Sequence, residues 1–189
     1  MKRIAVYCGS NKGVRPEYGA AAQALGALLA REKIELVYGG GSVGLMGIVA
    51  DAALAHGGHV IGVIPQKLHI REIIHHGLPD LRVVNTMHER KALMAELADG
   101  FIALPGGYGT FEEFFEVLAW SQLGWHPKPF GLLNAAGFYT PLLQFLNHTR
   151  DEGFIRPQHR ELVLEADSAE KLLQQLKTFR PPGEVKWQK

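Results

Sequence analysis

Short apolar runs that enter glycine-rich turns, and then helical patterns, recur along this chain, and that alternation restricts the folds open to it. Residues 4–8, 35–38, 59–64, 82–84, 101–104, 130–133 and 161–164 read as strands. Residues 16–31, 43–55, 87–97, 111–123, 141–151 and 168–177 read as helices. Strands with no polar face must be covered on both sides, so alternating β and α predicts a parallel sheet between two helical layers. Right-handed crossovers then give a doubly wound, Rossmann-like α/β sheet of about seven strands with helices on both faces. Pro16 and Pro141 fall near first-turn positions, and Gly57-Gly58, Gly100 and Gly153 near helix ends. Residues 65–80 hold two prolines and three histidines without a clean period, and we expect a long connection there, with or without a short helix. A length of 189 residues suits one domain with a full core. We expect a single nucleotide-binding catalytic domain over 1–180 and a frayed C-terminal tail over 181–189.

The turn that carries most chemistry is Pro105-Gly106-Gly107-Tyr108-Gly109-Thr110-Phe111-Glu112-Glu113. An apolar strand candidate leads in and an amphipathic helix candidate follows. Such a turn aims backbone N–H groups and the positive end of a helix dipole at one point, which suits a phosphate. A carboxylate has no reason to bind that phosphate, so Glu113 points to chemistry on something beside it. Ligands of doubly wound sheets bind outside the carboxyl ends of the strands. Gly9-Ser10, the glycine loop 39–44 and the turn 105–110 all follow strand candidates, so they converge on one rim and outline a nucleotide-sized pocket.

Each of these motifs also has a plainer reading. Thr110-x-x-Glu113 is a capping box, with Thr110 at the N-cap, and needs no ligand. Three glycines within four residues argue for close approach of backbone to a ligand, which a cap alone does not require. Thr86-x-x-Glu89 is a second capping box, which puts Arg90 in a first helical turn, where a cation opposes the dipole. Arg90 is then either a surface cation or an arginine turned into the pocket, where its planar fork holds a carboxylate or phosphate. Gly39-x-Gly41-x-x-Gly44 matches the dinucleotide fingerprint, but the strand that follows ends Ile64-Pro65 without the acid that would hold a ribose hydroxyl. It reads as the wall of a mononucleotide site or as a structural turn. Glu112 and Glu116 lie at i, i+4, away from the face of Glu113. None of the nine histidines forms a ligand array, so no metal is expected. Cys8 has no patterned base and reads as buried and inert.

The run 105–113 resembles the PGGxGTxxE motif of the LONELY GUY family, cytokinin riboside 5'-monophosphate phosphoribohydrolases often mislabelled lysine decarboxylases. Thr86-Met87-His88-Glu89-Arg90-Lys91 is similar to the family's M-x-x-R-K segment, and Arg90 precedes Glu113 by 23 residues, the family's interval. Arg71-Glu72-Ile73, the glycine loop 39–47 and Tyr7-Cys8-Gly9-Ser10 also resemble family segments. Together these cover roughly residues 4–165. The resemblance implies hydrolysis of the N-glycosidic bond of adenosine 5'-monophosphates, N6-substituted ones above all, to free base (cytokinin or adenine) and ribose 5-phosphate, without a cofactor. It implies Arg90 and Glu113 as catalytic residues. Substrate contacts are implied at Glu72, Met87 and Lys91, and along the turn at Gly106, Gly107, Tyr108, Gly109, Thr110, Phe111 and Glu112; the rim loops add Gly9, Ser10 and Gly41. Some family members carry threonine where this chain has Ala119.

Composition narrows the partners. A net charge of +1 provides no basic field for nucleic acid or anionic membrane. One cysteine fits a reducing compartment, the apolar start 4–8 is too short for a signal peptide, and no run approaches a membrane span, so a cytoplasmic protein is expected. The helix from Phe111 carries apolar residues on too many faces for one sheet to cover. A second subunit is the simplest cover and the resemblance implies a homodimer; the alternative cover is the following loop with Trp125. Two rival functions remain: a non-catalytic nucleotide-binding Rossmann protein of the molybdenum-cofactor carrier type, and a lysine decarboxylase. The second requires a lysine Schiff base with pyridoxal phosphate, and no lysine is patterned with a partner for the pyridine nitrogen.

Overall fold

The computed structural model describes residues 1–69 and 74–182. Its strands are β1 (Arg3–Tyr7), β2 (Glu35–Tyr38), β3 (Val60–Pro65), β4 (Asp80–Val84), β5 (Gly100–Ala103), β6 (Phe130–Leu133) and β7 (Val163–Ala166). They form one sheet in the order β4-β3-β2-β1-β5-β6-β7, and every pairing between them is parallel. The helices are α1 (Pro16–Arg31), α2 (Gly44–Ala55), α3 (Gln66–His69), α4 (Met87–Leu97), α5 (Tyr108–Gln122), α6 (Thr140–Asp151), α7 (Pro157–Arg160) and α8 (Ala169–Thr178). The doubly wound α/β architecture is the one the alternation predicts.

Two apolar layers sandwich the sheet. Leu25, Leu29, Val49, Leu172 and Leu176, from α1, α2 and α8, pack on one face against Ile4, Leu36 and Ile102. Met94, Phe114, Val117, Leu143 and Leu146, from α4, α5 and α6, pack on the other against Ala5, Val37, Ile61 and Phe101. The alternate residues of each strand therefore supply both layers, and this is why β1 and β2 read as unbroken apolar runs.

The strand order reverses between β1 and β5. Chain direction after β1 moves toward β4, and the long return through α4 restarts at β5 and moves toward β7. Reversal opens a crevice at the carboxyl ends of β1 and β5, the usual ligand position of such sheets. The loops that border it touch: Gly9 N–H donates to Pro105 O at 3.0 Å, and Leu45 N–H to Gly9 O at 3.0 Å. The end of β5 is pinned from outside by the buried Tyr139 hydroxyl, which donates to Leu104 O at 2.6 Å.

Some boundaries differ from the pattern reading. β7 begins two residues late, because Pro157 opens the extra short helix α7 just ahead of it. The connection 65–80 contains α3, and past it Ile74 bridges back to Gly41. The segment expected to carry Glu72 lies outside the described residues, as does most of the expected tail.

Candidate active site

α5 begins earlier than the sequence pattern indicates. The pattern places Thr110 at the N-cap, whereas the cap is Gly107, in extended backbone, and no side chain caps the helix. Thr110 is thus inside the first turn and buried, and the Thr110–Glu113 capping box does not form. The helix's own hydrogen bonding starts with Phe111 N–H to Gly107 O at 3.0 Å. The amides of Tyr108, Gly109 and Thr110 precede it and carry the positive end of the dipole into the crevice. Gly106 permits this approach, since a Cβ there would collide with the Thr110 side chain and crowd the Gly9 amide.

Glu113 faces inward from α5 instead of back along its own helix. Its carboxylate takes a hydrogen bond from Arg90 at the start of α4, and both side chains are at most 10% exposed. Thr86 caps α4 as expected, accepting from Glu89 N–H at 3.1 Å, while Glu89 reaches one residue further back, to Asn85 N–H. The cap sets the entry angle of α4, and Arg90 passes over the end of β3, where its Nε donates to Val63 O at 3.1 Å. Arg90 is therefore not a surface cation. Burial pushes the Glu113 carboxyl above its ordinary pKa; the charge of Arg90 and its hydrogen bond pull the other way but do not cancel this.

Gly39 makes room for the arginine, because a Cβ at that position would overlap the Arg90 guanidinium. Gly39 belongs to the site for a reason the glycine fingerprint does not carry: the tight approach is to a side chain from α4, not to a pyrophosphate.

A cavity of about 360 Å³ lies over this pair. Among the expected contacts, Gly9, Ser10, Gly41, Met87, Gly107, Tyr108, Gly109 and Thr110 line it together with Arg90 and Glu113. It also has an apolar side that pattern reading does not identify, made of Met46, Ile64 and Leu68. Cys8 borders it as well, where burial, with Glu113 nearby, holds the thiol protonated well above its usual range. Gly106 lines a neighbouring hollow of about 260 Å³ on the other side of the turn, which shares Gly9, Ser10 and Gly107 with the main cavity.

Three expected contacts fall elsewhere. Phe111 is partly buried and packs into the core beneath α5. Lys91, next to Arg90 but turned by about 100° on the helix, pairs with Glu112 and with Glu116 Oε1, the latter at 2.9 Å. Lys91 and Glu112 so engage one another and neither lines the cavity. Ala119 is exposed and does not line it either. Among the described residues no group of three or more histidine, cysteine or acidic side chains is placed to hold a metal ion, and no helix is long and apolar enough to cross a membrane.

The apolar residues of α5 divide three ways. Phe114 and Val117 are buried against the sheet. Phe111, Leu118 and Trp120 are partly buried, and the Trp125 ring lies 6.1 Å from that of Trp120. Phe115 is 39% exposed and Trp125 71% exposed, so the loop covers part of the helix and leaves an apolar face open.

The family model described as "Possible lysine decarboxylase" matches residues 46–176. The cytokinin riboside 5'-monophosphate phosphoribohydrolase LOG7 of Arabidopsis thaliana is 52% identical over 96% of this chain and 83% of its own length. The cytokinin riboside 5'-monophosphate phosphoribohydrolase LOG of Oryza sativa subsp. japonica is also 52% identical, over 98% of this chain and 76% of its own. Among solved structures, the molybdenum cofactor binding protein of Rippkaea orientalis superimposes with a TM-score of 0.72 at 25% identity, covering 94% of this chain and 97% of that one.

Proposed function

This chain belongs to the LONELY GUY family of cytokinin riboside 5'-monophosphate phosphoribohydrolases, and on that premise we propose that it cleaves the N-glycosidic bond of N6-substituted adenosine 5'-monophosphates, and of AMP, with Arg90 and Glu113 as the catalytic pair. The observation that carries the reading is the buried Arg90–Glu113 pair, set at the switch-point cavity beside the amide-rich start of α5. We assign residues 1–180 to this one catalytic unit.

The chemistry follows from the geometry. The free amides of Tyr108, Gly109 and Thr110 hold the 5'-phosphate, which fixes the ribose over Glu113. Gly9, Ser10, Gly41 and Gly107 supply backbone walls that a nucleotide can approach closely, and Met87 closes the rim. As the bond from the ribose C1' to the base nitrogen breaks, its electron pair leaves with the base, which takes up a proton from solvent to become the neutral purine, and positive charge builds on the ribose, as in glycoside hydrolysis. The Glu113 carboxylate stabilises that charge and takes a proton from the water that adds at C1'. Arg90, anchored on Val63 O, orients the carboxylate and favours its ionised form against the burial that opposes it.

Decarboxylase chemistry suits these residues poorly. Lys91 is the buried lysine nearest the pair; burial lowers the pKa of its ammonium, and Glu112 and Glu116 outweigh burial and raise it, the reverse of what a Schiff-base amine needs. Purified protein incubated with adenine, guanine and N6-alkyladenine nucleotides should release free base and ribose 5-phosphate in equal amounts from the adenine series, read by chromatography. Tight nucleotide binding with no base released would instead select a carrier-like role.

The open face of α5 fits a homodimer, with Phe115 and Trp125 at its centre. Sedimentation at micromolar concentration should give a species of twice 20.8 kDa, and a Trp125→Glu variant should shift it toward the monomer. A native protein that sediments only as monomer would refute the dimer. We assign the protein to the cytoplasm, where the lone Cys8 stays reduced.

A further inference from the structure

Arg90 and Lys91 are consecutive on α4, and both cross to α5. Arg90 reaches Glu113, while Lys91 reaches Glu112 and Glu116, the residues one before and three after it. The Lys91 side chain is only 7% exposed and does not line the cavity, yet it carries a full charge between two carboxylates. We propose that Lys91 is a positioning residue for the reaction: it clamps one turn of α5 to α4, so that Glu113 is held against Arg90 with its carboxylate toward the cavity. The proposal rests on the assignment of Arg90 and Glu113 above.

Geometry carries it. Glu112 and Glu116 are stacked at i, i+4 on one stripe of α5, and Glu113 is about 100° around the same turn. A cation pinned between Glu112 and Glu116 fixes how far α5 is rotated about its axis, and rotation is the motion that would swing Glu113 off the reacting carbon. Misplacement of a catalytic group by about 1 Å can cost up to about 10²-fold in rate. Without Lys91 the two acids would also repel one another across the turn.

The charges act in the same direction. Arg90 and Lys91 face Glu113 from α4, Glu112 and Glu116 from its own helix, and Tyr7 and Cys8 from β1 and the loop after it. Burial raises the pKa of Tyr7 and Cys8, and keeps both neutral. Of the rest, Arg90 and Lys91 favour the ionised Glu113 and Glu112 disfavours it. Lys91 therefore supports the carboxylate twice, by its own charge and by neutralising Glu112.

The test compares pH profiles of kcat and KM for an N6-alkyl AMP in the wild type, Lys91→Met, Lys91→Arg and Glu112→Gln. Lys91→Met should lose about tenfold in kcat with KM little changed, and the acid limb of its profile should move to higher pH. Glu112→Gln, which removes a negative charge but keeps an acceptor for Lys91, should move the limb to lower pH. Lys91→Arg should restore most of the rate. The substrate phosphate also titrates, near pH 6, but equally in all four proteins, so the differences between them carry the result. A Lys91→Met protein with an unmoved limb and near-native kcat would overturn the proposal. So would one with raised KM and native kcat, which would make Lys91 a substrate ligand. Should Lys91→Met not fold, Lys91→Gln takes its place, and an unmoved limb with near-native kcat in that variant counts against the proposal. Loss of the underlying assignment would be seen separately, as turnover retained in Glu113→Gln.

Discussion

Glu113→Gln should lower kcat by about 10²–10⁴-fold, the range for removal of a general acid or base, while the protein melts at or above the wild-type temperature at pH 7. The first half follows from the position of Glu113 in the cavity, beside Arg90. In transition-state terms the loss is about 2.7–5.4 kcal/mol. The second half follows from the sign of the linkage. Burial raises the pKa of Glu113 in the folded protein, so the fold takes up a proton more readily than the unfolded chain. Stability from that proton is present at low pH and is lost as pH rises through the folded pKa. Glutamine, isosteric and uncharged, stands in for the protonated acid at every pH, and its amide oxygen still accepts from Arg90. No helix cap is lost, because Gly107 and not Thr110 begins α5. A scanning calorimetry trace combined with single-turnover rates would separate the two effects. Near-native turnover in a protein with native melting would remove Glu113 from the chemistry.

Adenosine should be at least about a hundredfold poorer than AMP in kcat/KM, and the riboside of an N6-alkyladenine equally poorer than its 5'-monophosphate. A hydrogen bond to a charged group contributes roughly 1.5–3 kcal/mol net. The first turn of α5 offers three amides to one phosphate, and part of their energy is offset by desolvation. A hundredfold is about 2.7 kcal/mol, well within what remains. Part of the loss should appear in kcat, since the anchored phosphate also holds C1' over Glu113. Both pairs should be compared at one fixed salt concentration. Equal turnover of nucleotide and nucleoside would mean that the start of α5 is not a phosphate cradle.

Much of the site is legible in the chain because its parts follow strands. The turn after β5 announces itself by three glycines, and the interval between Arg90 and Glu113 survives as a contact between α4 and α5. What escapes has definite physical causes. Thr110-x-x-Glu113 has the spacing of a cap, but a helix can begin on extended glycine without any side chain, and a charged partner from another helix outcompetes a local amide for Glu113. Lys91 adjoins Arg90 in sequence and points elsewhere, because neighbours on a helix diverge by about 100°. Gly39 is recognisable as a glycine, but its partner is a side chain from a distant helix, which no local pattern encodes. The order of the strands is likewise a property of pairing and not of period. It becomes visible only in the sheet, and it is what brings the loops after β1 and β5 together.

The return through α4 has a consequence for how activity arises. α4 crosses beneath β1, β2 and β3 on its way from β4 to β5, and it delivers Arg90 to the end of β3 and to a helix that follows β5. Neither the segment up to β4 nor the segment from β5 onward owns both members of the buried Arg90–Glu113 pair. Contacts that join separate elements form only after the loops between them close. A refolding chain would therefore regain its helical signal before it regains turnover, and a nascent chain released before β5 would carry neither Glu113 nor the start of α5.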